Sequence, residues 1–563
     1  MTATSLPPGL LLVLAGLVLP LLPAALRRVW IVAAPLAILA WIWTLPTGER
    51  VFVDYLGWTI EPVRIDAAGR LFATIFSLMS AFGGLFAIGQ KRVVELAAAQ
   101  AYAGCAVGVA LAGDLLTLFL FWEGMAVAST IVIWSAATPA AFRASMRYVM
   151  VHLLGGVLLM SGVALFFVDT GSLAFAPMRP DSLATGLIFA GFLINAGAPP
   201  LSAWLPDAYP EASWSGMVVL SAFTTKTAVC VLLKGFPGVE LLIWFGGYMI
   251  FYGIIYALLE NDMRRILAYS IINQVGFMVV GIGIGTEMSL NGAAAHAFTH
   301  IIYKALLLMS AGSVLYMTGR RKCSELGGLF QSMPITTICG IVGALAISSF
   351  PLTSGFISKS MISQAAADQH LELVWFLLTA ASAGVFLHAG IKFPWFVFFQ
   401  KDSGLRPKDP PASMRAAMIL LAAICIGLGV FPAPLYALLP YPVDYVPYTT
   451  GHVLSMLQLL LFAGLAFFLL LPMMKRTLTI SLDFDWFYRR LGPGVVLAVG
   501  GAIASADCKL RHAAVGTFAA IVHQVRRHHG PDGLLARTVS AGSMVFWVVF
   551  VLAGYLIVYE FAQ

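Results

Sequence analysis

Residues 194–205 read INAGAPPLSAWL, and residues 348–359 read SSFPLTSGFISK. In each, an apolar helical run meets a Pro-Leu step set among small residues, with Ser or Thr following. Proline removes a backbone donor and clashes with the preceding turn. At membrane depth such a break is tolerated only where a cavity or a neighbouring helix satisfies the freed groups. Matched breaks at Pro199, Pro200 and Pro351, in corresponding positions of two halves, predict an inverted-repeat core with its site at the interruptions. Ordinary proline kinks are the plainer alternative.

Composition agrees with a membrane setting. The chain has 563 residues, of which 60% are hydrophobic and 10% charged, with a mean hydropathy of +0.91. A spanning helix needs about 20 apolar residues, and about sixteen such stretches follow one another, so the predicted fold class is an all-α polytopic membrane protein. The expected segments are 1–69 (two helices and a loop), 70–235 and 236–410 (the two halves of the core), 411–474 (two helices), 475–538 (an amphipathic surface segment) and 539–563 (a last span). The opening stretch lacks a basic leader and reads as the first helix, not as a cleaved signal.

Charges inside these stretches are the candidate site. Glu123, Lys226, Lys304, Lys359 and Lys392 fall in apolar runs, with Lys234 at the end of one. A charge at the bilayer centre costs about 2.5–3.5 kcal/mol even on lenient scales, so such residues face a bundle interior or a wet pathway. His296, His300 and Lys304 recur at i, i+4 and i+8, which aligns them on one helix face. Imidazole titrates near neutrality, and an amine taken out of water can do so too. The stripe therefore reads as a proton or small-cation route. Lys392 reads either as a pathway exit or as an interfacial, snorkelling side chain. Asp114 and Asp262 read as loop caps or ion-pair partners.

Other chemistry is not indicated. The six cysteines form no CxxC or cluster, which implies neither zinc nor iron–sulfur. No phosphate-binding loop or dinucleotide fingerprint is present, so no cofactor is expected. Most of the 33 Lys and Arg lie in loops after odd-numbered helices, which places those loops in the cytoplasm and both termini outside. The net charge of +7 thus belongs beside anionic lipid, with no nucleic-acid partner.

With these residues in view, the chain resembles the antiporter-like family: the large subunits of Mrp-type sodium/proton antiporters and of the proton-pumping arms of complex I and membrane-bound hydrogenases. The resemblance rests on FLFWEGMAVAS around Glu123, WLPDAYPEAS after the first break and AFTTKTAVCVL around Lys226. It rests equally on NDMRRILAYSIINQVGF, HAFTHIIYKALLLMSAGSV with His296, His300 and Lys304, and PLTSGFISK with Lys359. It covers residues 70–400 and implies proton-pathway roles for those residues. One position departs: where the family usually carries a lysine before the first Pro-Leu step, this chain has Asn195. Either that half-channel is silent, or its ion coupling is altered, with Glu123 binding a cation. Arg147 is a candidate replacement for the missing positive charge, or a structural anchor.

Three functions fit. The preferred one is a subunit of a multi-subunit sodium/proton antiporter, with protons, sodium, lipid and other membrane subunits as partners in the inner (cytoplasmic) membrane. The second is a proton-pumping arm of a redox-driven complex, and the third a structural subunit with a degenerate channel. The preference rests on proportions and on HAGIKFPWFVFF at 388–399, closer to D-type Mrp subunits. The basic helical pattern at 495–529 predicts a lateral helix along the cytoplasmic surface, or else a further span.

Overall fold

The computed structural model describes residues 6–55, 57–473, 483–531 and 533–563. It divides into two units, Met1–Asp485 and Trp486–Gln563. The first unit opens with α1 (Pro8–Val18) and α2 (Ala24–Thr44), then a hairpin of β1 (Arg50–Tyr55) and β2 (Trp58–Arg64). There follow α3 (Ala67–Phe86), α4 (Val93–Leu111), α5 (Leu115–Trp134), α6 (Pro139–Thr170), α7 (Leu183–Ala196), α8 (Trp204–Ala208), α9 (Gly216–Leu220) and α10 (Thr224–Gly235). Next come α11 (Leu241–Leu259), α12 (Met263–Ile284), α13 (Glu287–Thr318), α14 (Pro334–Ile347) and α15 (Ser354–Asp368). The unit closes with α16 (Glu372–Val385), which runs on through π-helical turns, α17 (Ala412–Val430), α18 (Ala433–Tyr436) and α19 (Thr450–Leu470).

The helical membrane class holds. Among the described residues 14 helices are long and apolar enough to cross a membrane, and Pro8–Leu21, Leu183–Ala196 and Pro334–Ile347 are shorter apolar helices. All but Phe487–His529 fall on the stretches expected to span the membrane, and Phe487–His529 covers the further helix expected at 495–529. Asp114 and Asp262 are N-caps, accepting from Thr117 N and from Arg264 N and Arg265 N, which satisfies donors that a helix start leaves open.

Both proline breaks are present. α7 ends at Gly197 in the left-handed region, and α8 resumes after Pro200. α14 ends at Ile347, and the link to α15 holds Ser349 at φ 60° and Leu352 at φ 68°, a backbone region that side chains disfavour. Two features correct the sequence reading. The helix expected around Lys226 is itself interrupted: α9 and α10 are separated by Ser221–Ala222–Phe223, with no proline or glycine. The loop expected within 1–69 contains the antiparallel β1–β2 hairpin. Glu61 N donates to Asp114 Oδ2 at 2.9 Å, pinning the hairpin to the start of α5.

α12 and the α9–α10 pair are buried along their length, and α13 over most of it. Helices with so little lipid-facing surface form the centre, where polar side chains escape hydrocarbon. α11 packs against α12 so closely that a Cβ at Gly246 would lie 2.6 Å from the Gly276 carbonyl oxygen.

The second unit consists of α20 (Gly492–His529, 38 residues) and α21 (Ala541–Ala562), neither with a buried residue. α20 is one unbroken helix about 57 Å long at 1.5 Å per residue. The expected boundary at 474–475 lies outside the described residues.

Candidate ion pathway

In the first half, Glu123 is half-buried on α5. Its carboxylate lies against α6, where a Cβ at Gly156 would collide with Glu123 Oε1. That oxygen has no hydrogen-bond partner among the described residues. Asn195, 1% exposed in the last turn of α7, lies 2.8 Å through Oδ1 from Nδ1 of His152 on α6. The preceding carbonyl, Ile194 O, accepts from Trp204 Nε1 at 2.9 Å, so the indole beyond the break caps the helix before it. Arg147 does not replace the missing charge beside Glu123. Its Nε and Nη2 donate to Asp207 Oδ2 and Oδ1 at 2.7 and 2.9 Å, a bidentate pair tying α6 to the segment beyond the break.

The buried amines share a construction. Lys226 Nζ donates to Ser221 O at 2.7 Å and Thr225 Oγ1 at 3.0 Å; Ser221 follows the last residue of α9. Lys359 Nζ donates to Ile347 O, the last residue of α14, at 3.2 Å. Lys392 Nζ reaches Ala257 O, Leu258 O and Glu260 O at 3.0, 2.6 and 2.6 Å, at the end of α11. Each amine therefore sits at a helix C-terminus, on orphan carbonyls and the negative end of the macrodipole. Lys304, on α13, donates to Leu267 O of α12 at 3.2 Å. Among the described residues none of these four amines forms an ion pair with a carboxylate. Lys234 differs, pairing with Asp66 at 2.8 Å.

The histidine stripe runs between them. His296 Nδ1 lies 3.1 Å from Ser358 Oγ, and its Nε2 3.2 Å from Gln274 Oε1. Tyr303 Oη donates to the same Gln274 oxygen at 3.1 Å. Both ring nitrogens of fully buried His300 lack a hydrogen-bond partner among the described residues. His300 stands within electrostatic reach of Lys226, Lys304, His296 and Lys359. Lys359 stacks over Phe277 at 4.6 Å and lines a cavity of about 440 Å³ with Ser363, Gln364, Thr379, His452 and Gln458. The structure thus brings Lys226, His296, His300, Lys304 and Lys359 together, and sets Glu123 and Asn195 against the adjacent Gly156 and Gly155 of α6.

Sequence reasoning missed His152, His388 and Gln274. His388 lies within electrostatic reach of Lys304, Lys359 and Lys392, on the π-helical turn that also carries Lys392. A polar residue in an apolar run is the available signal for each, but a lone imidazole or amide carries no spacing pattern.

Interrupted helices around a buried, charged axis define a class of polytopic membrane protein. The sequence profile of the NADH:quinone oxidoreductase/Mrp antiporter transmembrane family matches residues 112–386, and the chain belongs to that family. An uncharacterized protein of Mycobacterium tuberculosis (strain ATCC 25618 / H37Rv) is 30% identical over 431 residues, covering 68% of this chain and 67% of that protein. A Na(+)/H(+) antiporter subunit of the D type, from Alkalihalophilus pseudofirmus, is 28% identical over 371 residues, covering 62% of this chain and 75% of that relative. The fold is shared with a chain of the Mrp complex from Dietzia sp. DQ12-45-1b, at a TM-score of 0.74 and 23% identity, over 99% of this chain and 63% of that one. The chain therefore spans less than two thirds of the Dietzia chain's length.

Proposed function

We propose that this chain is the ion-translocating subunit of a multi-subunit monovalent cation/proton antiporter in the cytoplasmic membrane, with sodium as the cation and protons moving inward. Its proton route runs from Glu123 through Lys226, His300 and Lys304, with His296 and Lys359 leading to the cavity that Lys359 lines and Lys392 at the far end. The observation that carries this reading is the run of buried amines resting on helix-end carbonyls without carboxylate partners. A structural ion pair would hold its proton; an amine on neutral carbonyls is free to exchange one.

The test is ΔpH-dye fluorescence in inverted vesicles carrying the whole gene cluster, energised by a separate respiratory substrate. Collapse of ΔpH on adding sodium, lithium or potassium, lost in Lys226→Ala, supports antiport. No response of the wild type to any cation refutes it and turns the reading to a redox-driven proton pump.

A further inference from the structure

His152 is 1% exposed, in an apolar stretch of α6. Its ring lies between Tyr148 and Trp204, with centroids 4.1 and 4.7 Å away. One nitrogen is satisfied: Nδ1 lies 2.8 Å from Asn195 Oδ1. An amide oxygen only accepts, so it fixes the Nδ1–H tautomer and leaves the lone pair on Nε2. Nε2 has no hydrogen-bond partner among the described residues. A packing histidine has both ring nitrogens satisfied, because an unpartnered buried acceptor is destabilising.

An unpartnered carboxylate oxygen against the same helix face belongs to Glu123. Its carboxylate rests on Gly156, four residues beyond His152 and hence one turn, about 5.4 Å, along α6. Gly156 has no side chain to stand between them. The adjacent Gly155 faces Asn195, whose Oδ1 would lie 3.7 Å from a Cβ there. Glu123, His152 and Asn195 thus converge on two turns of one helix. The other titratable groups around the imidazole are Tyr148, Tyr209 beyond Trp204, and the Arg147–Asp207 pair, whose charges are mutually neutralised.

We propose that His152 is the proton partner of Glu123 in the first half of the molecule, with Asn195 as its positioning residue. The carboxyl O–H of Glu123 breaks and its proton forms the N–H bond at Nε2, giving a carboxylate and an imidazolium. Nδ1–H stays on Asn195 throughout, and the reverse transfer restores both neutral groups. This deepens the antiport reading and rests on it: the first half carries a working pair in place of a silent channel.

The probe is NCD-4, a fluorescent carbodiimide that modifies protonated carboxyls, applied at neutral pH to the complete complex in membranes and scored at Glu123 per copy of the chain. In the wild type the proton is shared between Glu123 and Nε2 and labelling is partial; H152Q removes the acceptor, so Glu123 keeps its proton and labelling rises severalfold, while E123Q takes no label. N195A, which leaves the imidazole but frees its orientation, gives a smaller rise. An amine supplied in the double variant H152A/N195K returns labelling toward the wild-type level. Unchanged labelling in H152Q and N195A overturns the proposal, as does a double variant labelled like H152A alone. Failure of the antiport reading shows separately, as the absence of cation-driven ΔpH collapse in wild-type vesicles, a readout the label does not use.

Discussion

Replacing Arg147 with Ala tests whether that guanidinium anchors the first break. Asp207 loses the Nε and Nη2 donors of Arg147, at 2.7 and 2.9 Å, while its side chain remains 2% exposed. Breaking a fully buried pair by removing one partner costs about 3–5 kcal/mol. Arg147 is 27% exposed, so water reaches the vacated side and the cost falls to about 2–3 kcal/mol. The opening is local, confined to the 197–207 segment that the pair ties to α6. At 1.36 kcal/mol per tenfold, the open population rises about 30- to 150-fold. Ser202, 2% exposed, reports it when changed to Cys in a background with the exposed Cys508 replaced by Ser. Maleimide labelling of that thiol should accelerate by the same factor in Arg147→Ala. It should return most of the way when Asp207→Asn is added, because the group that lost those two donors then carries no charge. Equal labelling in the single and double variants, or no acceleration at all, would refute the anchoring role.

Lys304→Ala and Glu123→Ala should each abolish cation-driven ΔpH collapse while leaving the protein in the membrane at wild-type abundance; full transport in both would sink the charged-axis reading. Asn195→Lys puts an amine where His152 now finds its partner and should alter the cation dependence of that collapse, whereas an unchanged response would mark this half as ion-free. The β1–β2 hairpin should loosen in acid. Burial pushes the Glu61 carboxyl up, but hydrogen bonds and charge from Arg50 and Arg64 outweigh it and hold the group down at about 2, from 4.5. A depressed folded value means the stabilisation is complete above 4.5 and is lost as pH falls toward 2. Pepsin should therefore cut the hairpin progressively over that window, and Glu61→Gln should be cut at its upper end already; a wild-type hairpin equally resistant throughout would contradict the sign.

The sequence makes the two proline breaks legible because a missing N–H is a local fact. The break before Lys226 escapes notice because Ser221–Ala222–Phe223 contains no residue that forbids helix; tertiary packing opens it, and the amine then occupies the carbonyl so freed. Arg147 and Asp207 each read as charges near helix ends, but no local pattern pairs residues 60 positions apart. The hairpin is hidden by its brevity, six and seven residues in a chain otherwise made of helices. His296, His300 and Lys304 are readable as a stripe because helical spacing orders them; His152 acquires meaning only once Glu123 is seen against the glycine one turn away.

Lys226, Lys359 and Lys392 all rest on backbone carbonyls at the ends of helices. Were each opposed by a buried carboxylate, departure of the proton would leave a lone anion in the interior, at a cost of about 3–5 kcal/mol. Carbonyl dipoles stay neutral whether the amine is charged or not, and a neutral amine still has hydrogens to offer them. Such a site can be emptied and refilled many times without an orphaned counter-ion to hold the proton back, and without a second ion having to follow it through hydrocarbon.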